Sequence, residues 1–180
     1  MVRQLVERIR QKDQRAMTEL YQRYVEELSS VCYRYVPQEN DAKDVLQNSF
    51  VKIFTSVESL EYQGEASFRG WMKKVVANEA LSYLKNRRKL LFIEHEAVNL
   101  QAEFEEEPEP ERISPDDLHQ LIRELPNGYR TVLNLFVFEG YSHRQIAELL
   151  GIREATSASQ LFYAKRLLAK RIKEITDKQR

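Results

Sequence analysis

The sequence predicts an all-α protein in which two small helical domains are joined by a flexible acidic linker. Apolar residues recur at three- and four-residue spacing through most of the chain, which is the pattern of helices with one buried face. The 180 residues include only five glycines and five prolines, fewer turn residues than an all-β fold requires. A single cysteine excludes a disulfide framework and a cysteine-based zinc site, and neither a metal ion nor a cofactor is expected.

The net charge of zero hides an uneven distribution of charge along the chain. Residues 1–89 carry 16 Lys and Arg against 12 Asp and Glu, residues 90–115 carry one against eight, and residues 116–180 carry 11 against eight. Two basic segments divided by an acidic one suggest two modules with a common polyanionic partner. Charges that alternate on solvated helix faces are the alternative, and charge alone does not decide between them.

Three long helices are expected in the first domain, residues 1–89, after a short helix over residues 2–12. The first long helix ends at Pro37, because proline cannot continue a helix. The second begins at Asp41, and the third runs from Ser67 to Lys89. A basic run closes the third helix and suggests a track for phosphates, although basic residues at a helix C-terminus are also favoured by the helix dipole. Trp71 is expected in the core rather than on a surface that stacks bases.

Residues 90–115 are predicted to form the linker. Pro108 and Pro110 block helix and ladder hydrogen bonds, and the surrounding glutamates repel one another. Residues 114–117 (Ser-Pro-Asp-Asp) then form a strong helix start, with a capping oxygen, a proline suited to the first helical position and two acids at the positive end of the dipole. Four shorter helices are expected in the second domain, residues 116–180.

The end of the chain has the pattern of a helix-turn-helix. Gly151 permits a left-handed turn between two helices, and Ser142 with Gln145 matches a capping box at the start of the first. The second helix begins near Glu154 and carries polar residues close to its N-terminus, where readers of the major groove place their base-contacting side chains. A plain helical hairpin with a solvated polar face is the alternative.

Four blocks of the sequence together resemble the bacterial extracytoplasmic-function sigma factors of the sigma-70 family. Residues 20–24 are similar to the family's region 2.1, residues 41–54 to region 2.2, residues 68–78 to regions 2.3 and 2.4, and residues 125–133 with the helix-turn-helix to region 4. The likeness covers nearly the whole chain. Ala155 and Ala158 depart from it, since family members commonly have glycine and a basic residue there.

The resemblance implies that the chain directs core RNA polymerase to specific promoters and helps to melt the minus-ten region. It implies contacts with the polymerase clamp helices through Asp44, Gln47 and Phe50. The residues implied to hold the unstacked base and the freed non-template strand of the minus-ten element are Tyr62, Gln63, Gly64, Ser67, Lys73, Lys74, Asn78, Tyr83, Lys85, Arg87 and Arg88. The residues implied to read the duplex minus-thirty-five element are Arg130, Ser142, Arg153, Thr156, Ser157, Ser159, Gln160, Lys165 and Arg166.

The implied partners are core RNA polymerase, promoter DNA in duplex and single-stranded form, and an anti-sigma factor. No small-molecule substrate is expected. An enzyme is not expected either, because His95, His119 and His143 lie far apart without metal-ligand spacing and no nucleophile motif appears. No apolar run approaches the ~18 to 20 residues of a membrane span, so we expect a cytoplasmic protein without membrane insertion. The alternative function is a helix-turn-helix transcriptional regulator that acts without polymerase.

Overall fold

The computed structural model describes residues 2–87, 92 and 113–178, and every regular element within these residues is helical. The chain divides into two compact units, Met1–Arg87 and Arg88–Arg180. The predicted all-α class with two helical domains is therefore confirmed. Most of the predicted linker lies outside the described residues, so the domain bounds at 1–89, 90–115 and 116–180 stay predictions. No described helix is long and apolar enough to cross a membrane.

The first unit is a bundle of three long helices with a short helix at its N-terminus. Helices α2, α3 and α4 pack on one another, and α1 packs on α2. Their shared core contains side chains without appreciable exposure from each long helix, such as Leu28, Ile53 and Met72. The bounds are α1 Val2–Arg10, α2 Gln14–Tyr35, α3 Glu39–Ser56 and α4 Glu65–Asn86, with a 3₁₀ turn at Val57–Ser59 after α3.

Two of these helices begin two residues earlier than the sequence predicted. Helix α3 starts at Glu39 rather than Asp41: the N–H of Ala42 donates to the carbonyl of Gln38 at 2.9 Å, and Glu39 adds an i,i+4 ion pair of 2.7 Å with Lys43. Helix α4 starts directly after Gly64, whose φ of +123° lies in a region that favours glycine. The predicted end of this helix at Lys89 falls outside the described residues.

Within residues 113–178 the second unit contains four helices, as predicted. Ser114 accepts a hydrogen bond from the backbone N–H of Asp117 at 3.1 Å, and both halves of the capping box between Ser142 and Gln145 are present. Gly151 has φ +69° and ends its helix in the left-handed conformation. The bounds are α5 Pro115–Arg123, α6 Asn127–Leu133, α7 His143–Leu150 and α8 Glu154–Lys178, with a π-helical turn at Asn134–Phe138.

Candidate nucleic-acid interface

The loop between α3 and α4 lies beside a cluster of three aromatic rings. The ring of Phe68 is buried, and it lies between Tyr62, at a centroid distance of 6.0 Å, and Trp71, at 5.7 Å. Tyr62 and Trp71 are both half-buried, so each keeps part of its ring accessible. The expectation that Trp71 is a core residue is therefore only partly correct. We call Tyr62, Phe68 and Trp71 the aromatic cluster.

Residues predicted to hold the minus-ten base and the freed strand lie close to the aromatic cluster in the sequence. Gln63 and Ser67 are exposed, and Gly64 is half-buried with its positive φ between them. On the following turns of α4, Lys74 and Asn78 are exposed as well. These residues share one loop and helix α4, and the side chains of the exposed ones are accessible to a ligand.

Lys73, by contrast, is engaged in an ion-pair network within the unit. Its Nζ lies 2.7 Å from Glu27 Oε1, and Arg69 donates to both oxygens of the same carboxylate at 2.8 and 3.1 Å. The Arg69 guanidinium and, after it, Lys73 lower the pKa of Glu27 below its usual range. Part of the positive charge that the sequence assigned to DNA therefore neutralises Glu27.

The end of α4 presents further positive charge. Lys85 and Arg87 are exposed, and the Arg87 guanidinium lies 5.7 Å from the centroid of the Tyr83 ring. Tyr83 itself is half-buried. Arg88, predicted for the same track, lies outside the described residues.

The predicted polymerase-binding residues on α3 do not share one environment. Asp44 and Gln47 are exposed, but Phe50 is only 3% exposed and packs against Tyr21, at 4.7 Å between centroids, and against Phe54, at 5.9 Å. The ring of Phe50 is therefore part of the core in this structure, and its direct contact with polymerase stays a prediction.

Two apolar residues outside the predicted polymerase-binding set are accessible near Phe50. Tyr21, whose ring covers Phe50, is 43% exposed, and Val51 on α3 is 61% exposed.

Three residues predicted to contact DNA from α8 point inward. Gln160 and Ser157 have no exposed surface and Thr156 is 9% exposed. They share the inward face of the helix with Leu161 and Ala164, which follows from the helical period once α8 begins at Glu154. Contacts with DNA through these side chains do not fit this structure. The sequence pattern did not predict that these polar side chains face the core, because polar residues are normally on the surface.

The accessible face of α8 carries a different set of side chains. Ala155 is exposed, and Ala158, Ser159 and Phe162 are half-buried at successive turns. The Ser159 hydroxyl donates to the carbonyl of Thr156 at 2.9 Å. Arg166 lies with its guanidinium 5.7 Å from the Phe162 ring centroid. Arg153, predicted for the minus-thirty-five element, is exposed, and so are Lys165 and Arg166 on the same helix.

Arg130 is a structural residue rather than a surface cation. It is 3% exposed, and its Nη1 donates to the backbone carbonyls of Arg123 at 2.9 Å and Leu125 at 2.6 Å. Its Nη2 donates to the side-chain oxygen of Asn127. Burial lowers the pKa of the guanidinium to about 10. The guanidinium is occupied by carbonyls at the C-terminal end of α5 and is buried in this structure, and the contact of Arg130 with DNA stays a prediction.

Ser142 is exposed but serves mainly as a helix cap. Its hydroxyl accepts a hydrogen bond from the Gln145 N–H at 3.3 Å, and its own N–H donates to Gln145 Oε1 at 2.9 Å.

Among the residues that the structure describes, no group of three histidine, cysteine or acidic side chains comes together to hold a metal ion.

Both units match known protein families. Residues 20–90 match the family model described as Sigma-70 region 2, and residues 116–168 match that of Sigma-70, region 4. The chain is 31% identical to the ECF RNA polymerase sigma-E factor of Haemophilus influenzae, over 95% of each chain. The protein belongs to the extracytoplasmic-function (ECF) sigma factors of the sigma-70 family.

Other relatives agree with this assignment. The ECF sigma factor is 29% identical to the ECF RNA polymerase sigma-E factor of Escherichia coli K12, over 95% of its own chain and 94% of the relative. It is 28% identical to the RNA polymerase sigma factor SigV of Bacillus subtilis, over 77% and 80% of the two chains. A structure of CnrH in complex with the cytosolic domain of CnrY has a similar fold, with a TM-score of 0.50 and 19% identity over 96% and 97% of the chains.

Membership in this family decides between the two functions that the sequence left open. The protein is an RNA polymerase sigma factor, which directs core polymerase to promoters in transcription initiation. The alternative, a regulator that acts without polymerase, is not favoured. The family acts as initiation factors and not as enzymes.

Proposed function

We propose that this sigma factor divides promoter recognition between its two units. The first unit binds core polymerase and the single-stranded minus-ten element, and the second unit binds the duplex minus-thirty-five element. The observation that carries the proposal is the accessible aromatic cluster next to the exposed cations of α4. Stacking surfaces next to positive charge are the usual means of holding single-stranded nucleic acid.

The aromatic cluster offers a physical way to favour strand opening. Opening a duplex costs stacking energy, and stacking of a base on a protein aromatic ring returns about 1 to 3 kcal/mol per base. The accessible parts of Tyr62 and Trp71 are the proposed stacking surfaces, and the Phe68 ring between them keeps both in place. The residues proposed to bind the base and strand beside them are Gln63, Gly64, Ser67, Lys74, Asn78, Tyr83, Lys85, Arg87 and Arg88.

The proposed minus-thirty-five surface is the accessible face of α8. Ala155, Ala158 and Phe162 are apolar, and apolar side chains in the major groove contact the methyl group of thymine. Arg153, Lys165 and Arg166 at the edges of this face are proposed to bind phosphates, which position the helix without selecting a base. Because two of the three apolar residues depart from the common family pattern, we expect a promoter preference that differs from that of relatives.

For core polymerase, we propose a docking surface made of Tyr21 and Val51 together with Asp44 and Gln47. Exposed aromatic residues at the centre of a polar rim typically supply most of the binding energy of a protein interface. Phe50 supports this surface from below, since its ring packs against Tyr21.

Two further proposals concern the setting of the protein. We propose an anti-sigma partner, because the family often has one and because CnrH, which shares the fold, was solved in complex with the cytosolic domain of CnrY. We also propose that the protein works in the cytoplasm, where it meets core polymerase.

Run-off transcription with core polymerase on promoters selected from a genomic pool tests the division of labour. We expect Trp71→Ala to lower transcription from fully paired promoters more than from templates mispaired at the minus-ten element. Phe162→Ala should instead change which minus-thirty-five sequences are used, and the exposed residue Lys43→Ala serves as a control for both. If the pure protein selects the same DNA without polymerase and core polymerase adds nothing, the proposal fails.

A further inference from the structure

Helix α1 holds the start of the loop that carries Tyr62. Arg10, the last residue of α1, donates from Nε to the carbonyl of Val57 at 3.2 Å and from Nη2 to the carbonyl of Leu60. Its Nη1 forms an ion pair of 2.8 Å with Glu7 one turn earlier. The Arg10 side chain is only 27% exposed, so these contacts are partly shielded from water. A residue 47 positions from Val57 and 50 from Leu60 in sequence thus fixes this end of the loop.

The two carbonyls mark the ends of the short turn after α3. The N–H of Leu60 donates to Val57 O at 3.3 Å, and residues 61–63 follow without regular structure. At the far end of the loop the N–H of Phe68 donates to the carbonyl of Gly64 at 3.0 Å, within the first turn of α4. Carbonyls at the end of a helix carry partial negative charge and favour a cation. Arg10 therefore secures one end of the loop and α4 the other.

We infer that Arg10 is a positioning residue for strand opening, because it holds the loop in the conformation in which Tyr62 lies against Phe68. The inference rests on the proposed function of the aromatic cluster. Arg10 lies outside the residues proposed to contact DNA or polymerase, so its effect is indirect. Through it, the N-terminal helix sets how readily the loop accepts an extruded base.

The geometry requires the fork of a guanidinium. Two different nitrogens of Arg10 reach two carbonyls, whereas a lysine ammonium is a single point of charge on a flexible stem. Arg10→Gln removes the charge and the fork, and Arg10→Lys keeps the charge alone. We expect the rate of open-complex formation on a paired promoter to fall about tenfold with Arg10→Gln, as loss of a charge-assisted hydrogen bond allows, and by less with Arg10→Lys.

Arg8 offers a matched control on the same helix. It pairs with Asp13 at 2.9 Å and with Glu19 at 3.4 Å, on the side of α1 that meets α2. Arg8→Gln therefore removes the same charge and two side-chain contacts, against three in Arg10→Gln, without touching the loop. Any effect of charge on general DNA attraction is common to both variants.

Three measurements on the full-length variants test the inference. Amide hydrogen exchange in the free protein should become faster at residues 60–64 in Arg10→Gln and stay unchanged there in Arg8→Gln. Opening of a paired promoter should slow in Arg10→Gln alone, and a template already mispaired at the minus-ten element should restore most of the rate. Affinity for core polymerase should not change in either variant.

Each contrary result has a defined meaning. Loop exchange and opening rates equal to those of Arg8→Gln would overturn the role of Arg10. The role would also be overturned if Arg10→Gln lowered the affinity for core polymerase and the activity on mispaired templates as much as it lowered opening of paired promoters. Such a uniform loss is the result expected of a destabilised helical bundle. Tyr62→Ala separates this from failure of the proposed function. If Tyr62→Ala opens promoters normally, the proposed stacking on Tyr62 falls together with the inference. Slow opening by Tyr62→Ala beside normal opening by Arg10→Gln overturns only the inference.

Discussion

His143 and Ser157 join the two helices of the helix-turn-helix through a side-chain hydrogen bond, with His143 Nδ1 3.0 Å from Ser157 Oγ. His143 is the first residue of α7, and its ring stacks on Phe136 at 4.7 Å between centroids. Ser157 is buried in the first turns of α8. The serine that the sequence assigned to DNA thus helps to fix the geometry between α7 and α8, so it supports the exposed face of α8 without being part of it.

This bond predicts that the stability of the second unit depends on pH near neutrality. Burial lowers the pKa of His143 below its usual 6.5, with Lys165 acting in the same direction and Glu154 against it. The unfolded chain therefore binds the proton more readily than the folded one, so the stabilisation is complete above about pH 6.5 and decreases as the pH falls towards the folded-state pKa. Urea unfolding between pH 8 and pH 5 should show this decrease, and His143→Asn should reduce it. If the unchanged protein and His143→Asn lost stability equally as the pH falls, His143 would not be the group responsible.

Arg130→Met should destabilise the second unit rather than act on DNA alone. The substitution leaves buried carbonyls at the end of α5 without their donor, which costs about 1 to 3 kcal/mol. Chemical denaturation measures the change, with the exposed residue Lys165→Met as the control, for which we expect an effect within about 0.5 kcal/mol. A fully stable Arg130→Met protein with weak minus-thirty-five binding would restore the original prediction of a DNA contact.

Contact of Phe162 with thymine predicts a specific response to loss of the base's methyl group. Replacing a contacted thymine by deoxyuridine in the minus-thirty-five element removes one methyl, and should weaken binding by about 0.8 kcal/mol, or about fourfold. In Phe162→Ala the same replacement should have little effect. Binding of polymerase holoenzyme to the paired set of DNAs measures this coupling. If both proteins lose equal affinity, Phe162 does not contact that methyl group.

Joint replacement of Arg87 and Arg88 by alanine should weaken open complexes and make them less sensitive to salt. Each phosphate contact that is lost lowers the slope of log affinity against log salt concentration by about one. The salt series is measured on the holoenzyme, and Lys43→Ala, an exposed cation paired with Glu39 on α3, serves as the control. An unchanged slope in the double variant would remove both arginines from the DNA track.

Glu27→Gln should have the opposite effect on salt dependence. It frees Lys73 and Arg69 from a shared carboxylate, so more positive charge is available to a nucleic-acid strand and the salt slope should become steeper. The cost in stability should be small, about 0.5 kcal/mol, because the ion pairs are only partly shielded from water, with side chains between 25% and 46% exposed. The lowered pKa of Glu27 means that this contribution is present at neutral pH and is lost as the pH falls below about 4.5. The exposed neighbour Glu26→Gln should change neither quantity.

The features that were predictable from sequence are those that depend on neighbouring residues. Ser114 and Gly151 act within one turn of chain, and their roles in capping and ending helices follow from their residue types. The burial of Arg130 and Gln160 was not predictable from sequence, because a polar residue indicates exposure only on average. The partners of Arg130 are main-chain carbonyls that become available only once α5 ends beside α6. The spacing of residues in the sequence does not predict such partners. The contacts of Arg10 with main-chain carbonyls were not predictable for the same reason.

The buried position of Cys32 has a practical consequence for following this protein in solution. Its thiol donates to the carbonyl of Ala42 at 3.3 Å, and burial raises its pKa to about 12. The thiolate is the form that reacts with maleimides, so the native sulfur of the folded chain is inert to them. Because the chain has no other cysteine, Glu174→Cys, an exposed position of α8 outside the proposed minus-thirty-five residues, would accept a single dye, and fluorescence from that dye could time the arrival of the helix at DNA.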